Sequence, residues 1–349
     1  MQTTTATERP ATRPRYKSWK YVLDTCNPPP EGLDAVSRWL LIVRACVFQM
    51  TLTSAFIGGL LAAADLRAAG LPFNWAPFIL CLIGLTVAHA VNNMVNDYFD
   101  TTGGVDTQDY TRALYAPHPI LSGIITKAGL RNAILAANAI DVLIGLYLTF
   151  SVGWPIAIFA LGGLLISVFY VAPPIKLKHH GLGEPGVFVV WGPLMIGGTY
   201  FAVKGDIRPE IFLACIPYAL VVTTVLIGKH IDKYKVDKAK GIHTLPVILG
   251  EQTSLTLNKL LMISFYVISA ILILTRTMGI WVALIAFAIP RLLYVLKIYS
   301  RPKPEKPPEN YPVWPLWFVS AAFHHNKLAG GMFVLGLILN LLIPVQLPF

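Results

Sequence analysis

Long apolar segments separated by polar connections dominate the chain. A helix needs about 20 predominantly apolar residues to cross the hydrocarbon core of a bilayer. The pattern predicts nine such spans, at residues 39–64, 75–97, 132–150, 153–172, 185–203, 209–230, 256–275, 279–297 and 329–347. We therefore predict an all-α polytopic membrane protein, with a polar N-terminal segment (1–38) followed by a single nine-helix domain (39–349).

The composition agrees with this prediction. Only 13% of the 349 residues are charged and 55% are hydrophobic, whereas a soluble domain carries about 25% charged residues. This excludes a disordered protein and argues against a water-soluble globular fold. The four cysteines are far apart in the sequence and three lie in or near predicted spans. Neither a disulfide framework nor a zinc site is expected.

The net charge of +10 raises the possibility of nucleic-acid binding, since basic proteins often show it. The positions of the basic residues argue for topology instead. Most of the 28 Lys and Arg residues lie in the N-terminal segment and in connections on the same side of the predicted bundle. Cytoplasmic loops carry such an excess. We expect a cytoplasmic N-terminus, a C-terminus on the opposite side, and no nucleic-acid partner.

The second predicted span ends in a polar sequence, HAVNNMVNDYFD (residues 89–100). Asn92, Asn96 and Asp100 are spaced four apart and share one helix face, with Asp97 in a neighbouring row. Polar side chains in a span normally face the bundle interior or an aqueous cavity. Because a helix C-terminus disfavours carboxylates, we expect a cation to compensate these acids.

The sixth predicted span has a similar end, GKHIDKYKVD (residues 228–237), with Asp232 and Asp237 at and beyond its last turn. Both acidic clusters are therefore expected at the same membrane face. Few carboxylates with open positions suit Mg²⁺ shared with a phosphate substrate. Lys and Arg side chains can bind a diphosphate, and the candidates near the clusters are Arg112, Lys176, Lys178, Lys229 and Lys233. This arrangement suits a lipid diphosphate whose tail lies among the helices.

These motifs resemble the UbiA superfamily of intramembrane prenyltransferases, whose members have nine helices and two Asp-rich motifs. Asn96, Asp100 and Asp106 match the first motif, and the spacing NDYFDxxxGxD is similar to the branch that prenylates 1,4-dihydroxy-2-naphthoate. The further matching positions are Arg112, PHPILSG (117–123), Tyr170, GLGE (181–184), Gly192–Pro193, GGTY (197–200), Asp237, Gly241 and TLPVILG (244–250).

The second motif departs from the family pattern. The family spaces its two Asp residues four apart, whereas Asp232 and Asp237 are five apart. In register with Asp237, Lys233 takes the position of the first Asp. Either a local bulge brings Asp232 into place, or metal binding rests on Asp237 while Lys233 contacts the diphosphate directly.

The resemblance implies a UbiA-type bundle in a bacterial inner membrane, with a central apolar cavity that opens to the cytoplasmic side. It implies Mg²⁺-dependent transfer of a polyprenyl group from its diphosphate to an aromatic acceptor, with membrane lipid around the bundle. Arg112 and Lys233 would take up charge from the leaving diphosphate, and Tyr170 would lie near the allylic cation. The residues that would hold Mg²⁺ are Asn96, Asp100, Asp106, Asp232 and Asp237, of which Asp100, Asp106 and Asp237 would be catalytic; Asn92 and Asp97 would support them.

The naphthoate branch implies loss of the acceptor carboxyl as CO₂, as in menaquinone biosynthesis. The alternative acceptors within the superfamily are a hydroxybenzoate, homogentisate, chlorophyllide, haem or glycerol phosphate, and the NDYFDxxxGxD spacing argues against most of them. A transporter is a more distant alternative, since charged residues in spans can mark ion pathways. The acids, however, lie at one face of the predicted bundle rather than at the membrane midplane.

Overall fold

The regular structure of the chain is helical. A computed structural model describes residues 15–309, 311 and 313–345. Residues 1–14 of the predicted N-terminal segment, and residues 346–347 at the end of the last predicted span, lie outside the described residues. An isolated bridge joins His180 to His243 between two connections.

Helices follow one another along the chain with short connections between them. In chain order they are α1 (Arg15–Thr25), α2 (Ala35–Ile42), α3 (Ala45–Ala68), α4 (Trp75–Thr102), α5 (Thr111–Tyr115), α6 (Lys127–Ser151), α7 (Pro155–Phe169), α8 (Gly183–Lys204), α9 (Glu210–Asp232), α10 (Tyr234–Ala239), α11 (Leu245–Leu249), α12 (Glu251–Leu274), α13 (Ile280–Tyr299) and α14 (Phe318–Leu342).

Within the described residues, 8 helices are long and apolar enough to cross a membrane. They are α3, α4, α6, α8, α9, α12, α13 and α14. The apolar helix α7 has 15 residues and is about 22 Å long, shorter than the roughly 30 Å hydrocarbon core. The chain is an integral membrane protein, and the predicted count of nine spans depends on whether α7 crosses the bilayer.

The first predicted span, 39–64, is not one continuous helix. α2 ends at Ile42, and Arg44 has a left-handed backbone (φ 52°) before α3 begins. Two interactions with α4 stabilise this break: Asn93 Nδ2 donates to the Val43 carbonyl at 3.0 Å, and the Arg44 guanidinium pairs with Asp97. Hydrophobicity alone gives no sign of the break, because both helices are apolar.

The last helix begins earlier than predicted. α14 starts at Phe318, whereas the predicted span starts at residue 329. Its first turns contain polar residues, which lower the hydropathy of the segment. Two of them, His325 and Asn326, are fully buried, and His325 Nε2 lies 2.8 Å from the Tyr266 hydroxyl of α12. The helix therefore continues into the bundle with a polar pair in its interior.

A disulfide joins Cys26, just after α1, to Cys46 in the first turn of α3. The expectation that the cysteines form no such bond was wrong for this pair. The chain reverses between α1 and α2 and brings the two Cα atoms to 5.6 Å, a usual separation for a disulfide. The Asp34 carboxylate caps α2 and accepts a hydrogen bond from the Trp19 indole at 3.2 Å, which packs α1 against α2.

The helix α9 forms the centre of the bundle, and α6 lies at its edge. The inner face of α9 contains fully buried residues such as Tyr218 and Val221, and Gly228 lets the helix approach Tyr299 and Val319 closely. In α8 the helix widens into a π-type turn over Val190–Gly197, since Pro193 cannot donate a backbone hydrogen bond. The C-terminal ends of α4 and α9 both contribute to one polar pocket, near which the two acidic clusters lie.

Candidate active site

The first acidic cluster is built at the C-terminal end of α4. Asn96 and Asp100 lie one helical turn apart and are both buried. The chain then turns back through Gly103 and Gly104, and the positive φ of Gly104 (72°) suits glycine. As a result the Asp106 N–H donates to the Asp100 carbonyl at 3.0 Å. The structure therefore brings Asn96, Asp100 and Asp106 together, as their spacing predicts.

His118 orients the Asp106 carboxylate. Its Nε2 lies 3.1 Å from Asp106 Oδ2, while its Nδ1 accepts from the backbone N–H of Ile120 at 3.3 Å. Because Nδ1 is an acceptor, the proton of a neutral ring is on Nε2 and points at Asp106. Burial opposes ionisation of Asp106, but this hydrogen bond and the nearby charge of Lys233 keep its pKa below the ordinary value.

Asp97 holds two arginines in place. It is fully buried, and Arg112 donates to both of its carboxylate oxygens, at 3.2 Å each. The Arg44 guanidinium pairs with the same carboxylate. Asp97, Asp106 and His118 also bring three possible metal-ligating atoms within 4.8 Å of one another. Because Asp97 already pairs with two guanidinium groups, its main contribution here is to position them.

Lys178 forms an ion pair with the first cluster. Its Nζ lies 2.7 and 2.6 Å from the two oxygens of Asp100, and both side chains are buried. The backbone N–H of Lys178 donates to the Tyr170 carbonyl at 3.0 Å, which anchors this connection to the end of α7. The side chain of Lys176 is half-buried and does not line the polar pocket between the acids.

The second acidic cluster consists of Asp237 with Lys233. Lys233 lies between α9 and α10, and its Nζ is 3.4 Å from Asp237 Oδ1 and 4.4 Å from the centre of the Tyr110 ring. The Tyr110 hydroxyl donates to the same Asp237 oxygen. Asp237 Oδ2 is buried without a hydrogen-bond partner among the described residues. The cluster thus retains an unused carboxylate oxygen.

Asp232 points away from the pocket. Its carboxylate accepts from Lys303 Nζ at 3.1 Å and from the Val319 N–H at 3.0 Å, on the side of the Pro-rich connection. Asp232 is five residues from Asp237, whereas Lys233 is four residues away and shares its helix face. Of the two arrangements left open by the sequence, the geometry places Lys233 and not Asp232 beside Asp237.

A cavity of about 560 Å³ lies beneath the polar pocket, among α3, α4, α6, α7, α8 and α9. Most of its lining is apolar, and Tyr170 and Trp191 are part of it. The cavity shares lining residues with the polar pocket that contains Asp100 and Asp106. The side chains that line both spaces are Arg44, Asn96, Arg112, Tyr115 and Lys229.

Several residues of the site had not been assigned a role from the sequence. Arg44 carried a signal, because a basic residue within an apolar stretch needs a partner. Tyr110 carried none, and His118 was noted only as part of the PHPILSG motif, since the roles of both depend on contacts made by a loop. Asn92, expected to support the acids, instead donates to Ser167 Oγ at 2.9 Å and joins α4 to α7.

A buried acid–base pair lies next to the polar pocket. Glu184 Oε1 is 2.6 Å from His230 Nδ1, and both side chains are about 1% exposed. Glu184 belongs to the GLGE motif, while His230 was assigned no role from the sequence. The pair connects the start of α8 to the end of α9 and so fixes the helix that carries Lys229.

Comparison with known proteins identifies the family. The sequence model of the UbiA prenyltransferase family matches residues 52–327. The chain belongs to the UbiA prenyltransferase family. It is therefore a prenyltransferase, as the two Asp-rich motifs predicted. Members of this family transfer a prenyl group from a prenyl diphosphate.

Relatives of this UbiA-family chain include enzymes named for naphthoate prenylation. "1,4-Dihydroxy-2-naphthoate octaprenyltransferase" of Escherichia coli is 26% identical over 84% of this chain and 97% of its own length. The protein of the same name from Bacillus subtilis is 23% identical over 71% of this chain and 78% of its own length. "UbiA prenyltransferase domain-containing protein 1" of Danio rerio is 26% identical over 69% of this chain and 70% of its own.

Solved structures share the UbiA fold. A UbiA homologue from Aeropyrum pernix K1 superposes with a TM-score of 0.62 at 16% identity, over 83% of this chain and 96% of that one. A homologue from Archaeoglobus fulgidus bound to GPP and Mg²⁺ gives a TM-score of 0.54 at 17% identity, over 85% and 99%. These similarities establish the fold, including helices beyond the range of the two sequence motifs.

Proposed function

We propose that this enzyme transfers a polyprenyl group from a polyprenyl diphosphate to 1,4-dihydroxy-2-naphthoate, with loss of CO₂, as a step of menaquinone biosynthesis. The observation that carries this proposal is the polar pocket of paired acids and cations at the mouth of an apolar cavity. A diphosphate suits the pocket and a polyprenyl tail suits the cavity. The acceptor is taken from the relatives named for naphthoate prenylation and from the NDYFDxxxGxD spacing.

The proposed reaction breaks a carbon–oxygen bond of the donor and a carbon–carbon bond of the acceptor, and forms one new carbon–carbon bond between them. The bond between C1 of the prenyl group and the diphosphate oxygen breaks, and the oxygen keeps the electron pair. The ring carbon of the acceptor that carries the carboxylate bonds to C1. The bond from that ring carbon to the carboxylate then breaks, CO₂ leaves, and the electron pair restores the aromatic ring. The products are a prenylated naphthalenediol, CO₂ and diphosphate, and no external oxidant is needed.

The donor set fits a divalent cation such as Mg²⁺. Asn96, Asp100 and Asp106 line one polar pocket at the end of α4. Asp237 Oδ2 is buried and has no hydrogen-bond partner among the described residues. Mg²⁺ prefers such hard oxygen ligands, and it is usually coordinated by protein carboxylates and substrate phosphates together. We propose that these four residues hold the metal and that Asp232 does not. When bound, Mg²⁺ would neutralise charge on the diphosphate.

The cations of the pocket would bind the diphosphate. Arg112 is oriented by Asp97, and Lys178 and Lys233 are each held close to a carboxylate of the site. Fixed positive charge next to a leaving anion stabilises the transition state without reorganisation. We assign these three residues to the diphosphate. Tyr170 lines the cavity beyond them and, with its apolar neighbours, would keep water from the allylic cation.

We propose that α7 is a ninth, short span and that residues 39–349 form one domain. The basic loops would then lie in the cytoplasm of a bacterial cell, with residues 1–38, and the C-terminus across the inner membrane. Labelling of single cysteines with a membrane-impermeant maleimide tests this topology. A cysteine at Lys306 should react only after the cells are opened. Reaction of this cysteine in intact cells would reverse the proposed orientation.

Membranes containing the enzyme provide the test of function. They are incubated with labelled geranylgeranyl diphosphate and either 1,4-dihydroxy-2-naphthoate, a hydroxybenzoate or homogentisate. The proposal predicts Mg²⁺-dependent prenylation of the naphthoate and little product from the others. Preference for another acceptor would retain the enzyme class and refute the naphthoate assignment. Absence of transfer from geranylgeranyl diphosphate to every one of these acceptors would refute the proposed reaction.

A further inference from the structure

Among the described residues, Lys229 is the basic residue of the polar pocket without a partner, whereas the others there have one. Arg44 and Arg112 contact Asp97, Lys178 contacts Asp100, and Lys233 contacts Asp237. The Lys229 ammonium makes no ion pair, hydrogen bond or ring contact with the part of the chain that the structure describes. The acids of the polar pocket thus already contact other groups, and the amino group of Lys229 is free to bind an anionic ligand.

The position of Lys229 separates it from the cations assigned to the diphosphate. It lies one turn before Lys233 on α9, about 6 Å deeper in the bundle. Its side chain lines both the polar pocket and the apolar cavity, and the neighbouring turn of α9 adds Val225 and Leu226 to the cavity wall. The ammonium therefore lies at the boundary between the space that suits a diphosphate and the space that suits a prenyl tail.

C1 of the donor must lie at this same boundary, because it connects the diphosphate to the tail. The acceptor ring has to reach C1, and so the ring also belongs beside Lys229. Tyr115 offers an aromatic surface there, since it lines both spaces and its ring lies 5.4 Å from the Arg112 guanidinium carbon. A site with an aromatic wall and an unpaired ammonium suits an aromatic carboxylate.

We propose that Lys229 binds the carboxylate of the aromatic acceptor and thereby selects acceptors that carry one. This inference rests on the proposed function and reassigns Lys229 from the diphosphate to the second substrate. The ammonium has three N–H donors, enough to contact the carboxylate and the hydroxyl next to it on the ring. It would hold the ring carbon facing C1 while the diphosphate stays with Arg112, Lys178 and Lys233.

Ligand binding tests this inference independently of turnover. The purified protein in nanodiscs is titrated with 1-hydroxy-2-naphthoate, a fluorescent carboxylate, and with the matching uncharged 1-hydroxy-2-naphthamide. The variants are Lys229→Met, Lys229→Arg as the charge-conserving change, and Lys235→Met as the control at an exposed lysine. Geranylgeranyl diphosphate is titrated in parallel.

We expect Lys229→Met to weaken carboxylate binding by about tenfold or more, as for loss of a buried charge pair. Binding of the amide and of the prenyl diphosphate should stay within about twofold, Lys229→Arg should keep most of the carboxylate affinity, and Lys235→Met should match the wild type. Weaker diphosphate binding with unchanged carboxylate binding would overturn the inference. So would equal weakening of the carboxylate and the amide, which indicates a structural role.

The same titrations separate this inference from the proposed function. If the wild type transfers the prenyl group to the naphthoate but binds carboxylate and amide equally, the inference fails and the function stands. If the wild type binds neither naphthalene ligand yet binds geranylgeranyl diphosphate, the naphthoate assignment fails and the inference fails with it.

Discussion

Lys233 lies 3.4 Å from Asp237, one helical turn away and in the place where an acidic residue would otherwise complete the second motif. A fixed ammonium thus stands at a position where the family pattern has a metal-binding carboxylate. The consequence is a site with four acids, Asn96 as a neutral oxygen donor, and an excess of positive charge. Under the proposed function, Asp237 and the first cluster would hold the metal, and Lys233 would contact the diphosphate directly.

The two candidate acids of the second motif should behave differently. Asp237→Asn removes a carboxylate of the site and should lower kcat by about 100-fold or more. Asp232→Asn changes only the contacts to Lys303 and Val319, so it should keep activity within about threefold and lower Tm instead. Transfer assays and thermal shift on the two purified variants measure both effects. If the Asp232 variant lost activity and the Asp237 variant retained it, the assignment of Asp237 rather than Asp232 to the site would be wrong.

Asp100 should be essential for turnover. Asp100→Asn removes a negative charge from the proposed metal site and weakens the ion pair with Lys178, so we expect kcat to fall by about 100-fold or more. Size-exclusion elution and membrane insertion should remain normal. The matched control is Asp109→Asn, an exposed acid in the same loop region, which should retain wild-type rates. Wild-type activity of the Asp100 variant would contradict the metal assignment.

Asp97 should affect stability and donor binding together. Asp97→Asn removes the counter-charge of the buried Arg112 and of the partly buried Arg44, and breaking a buried pair costs about 3–5 kcal/mol. Because Arg112 loses its orientation, the KM for the prenyl diphosphate should rise by about tenfold. Thermal shift and initial rates at varied donor concentration provide the two readouts. An unchanged donor KM would show that Asp97 does not position Arg112.

The disulfide should stabilise the N-terminal helices. Cys26 and Cys46 are separated by 20 residues, and a closed loop of that length contributes about 3 kcal/mol in the chain-entropy description. Cys26→Ser should therefore lower the Tm of oxidised protein, and a reductant should lower the wild-type Tm by a similar amount. Cys81→Ser, at a free cysteine, leaves this crosslink intact and should keep the response to reductant. A wild-type Tm that does not change when reductant is added would contradict this prediction.

The sequence predicts the parts of the site that depend on local spacing. Asn96 and Asp100 share a helix face because they are four residues apart, and Gly103–Gly104 predicts the turn that returns Asp106. The same period correctly relates Lys233 to Asp237, although the sequence alone left Asp232 as an alternative. Contacts that join distant segments follow from packing and could not be predicted, such as Lys178 with Asp100 or Tyr110 with Asp237.

In the fold, too, features that follow from local sequence pattern were predictable and those that depend on long-range contacts were not. Hydrophobicity predicts the long spans because bilayer thickness sets their length. It does not predict the break at Arg44, where the contact with Asp97 stabilises a left-handed backbone conformation. It also does not predict the early start of α14, because His325 and Asn326 lower the hydropathy of that segment although both are buried. It also places α7 among the spans, although that helix has only 15 residues.

The most direct test of the central claim follows the acceptor carboxyl. The purified enzyme is incubated with geranylgeranyl diphosphate and 1,4-dihydroxy-2-naphthoate labelled with ¹⁴C in its carboxyl group, with Mg²⁺ or with EDTA. We predict one labelled CO₂ for each prenylated naphthalenediol in the presence of Mg²⁺, and neither product with EDTA. A prenylated product that retains the label, or consumption of the donor without any naphthalenediol product, would contradict the account.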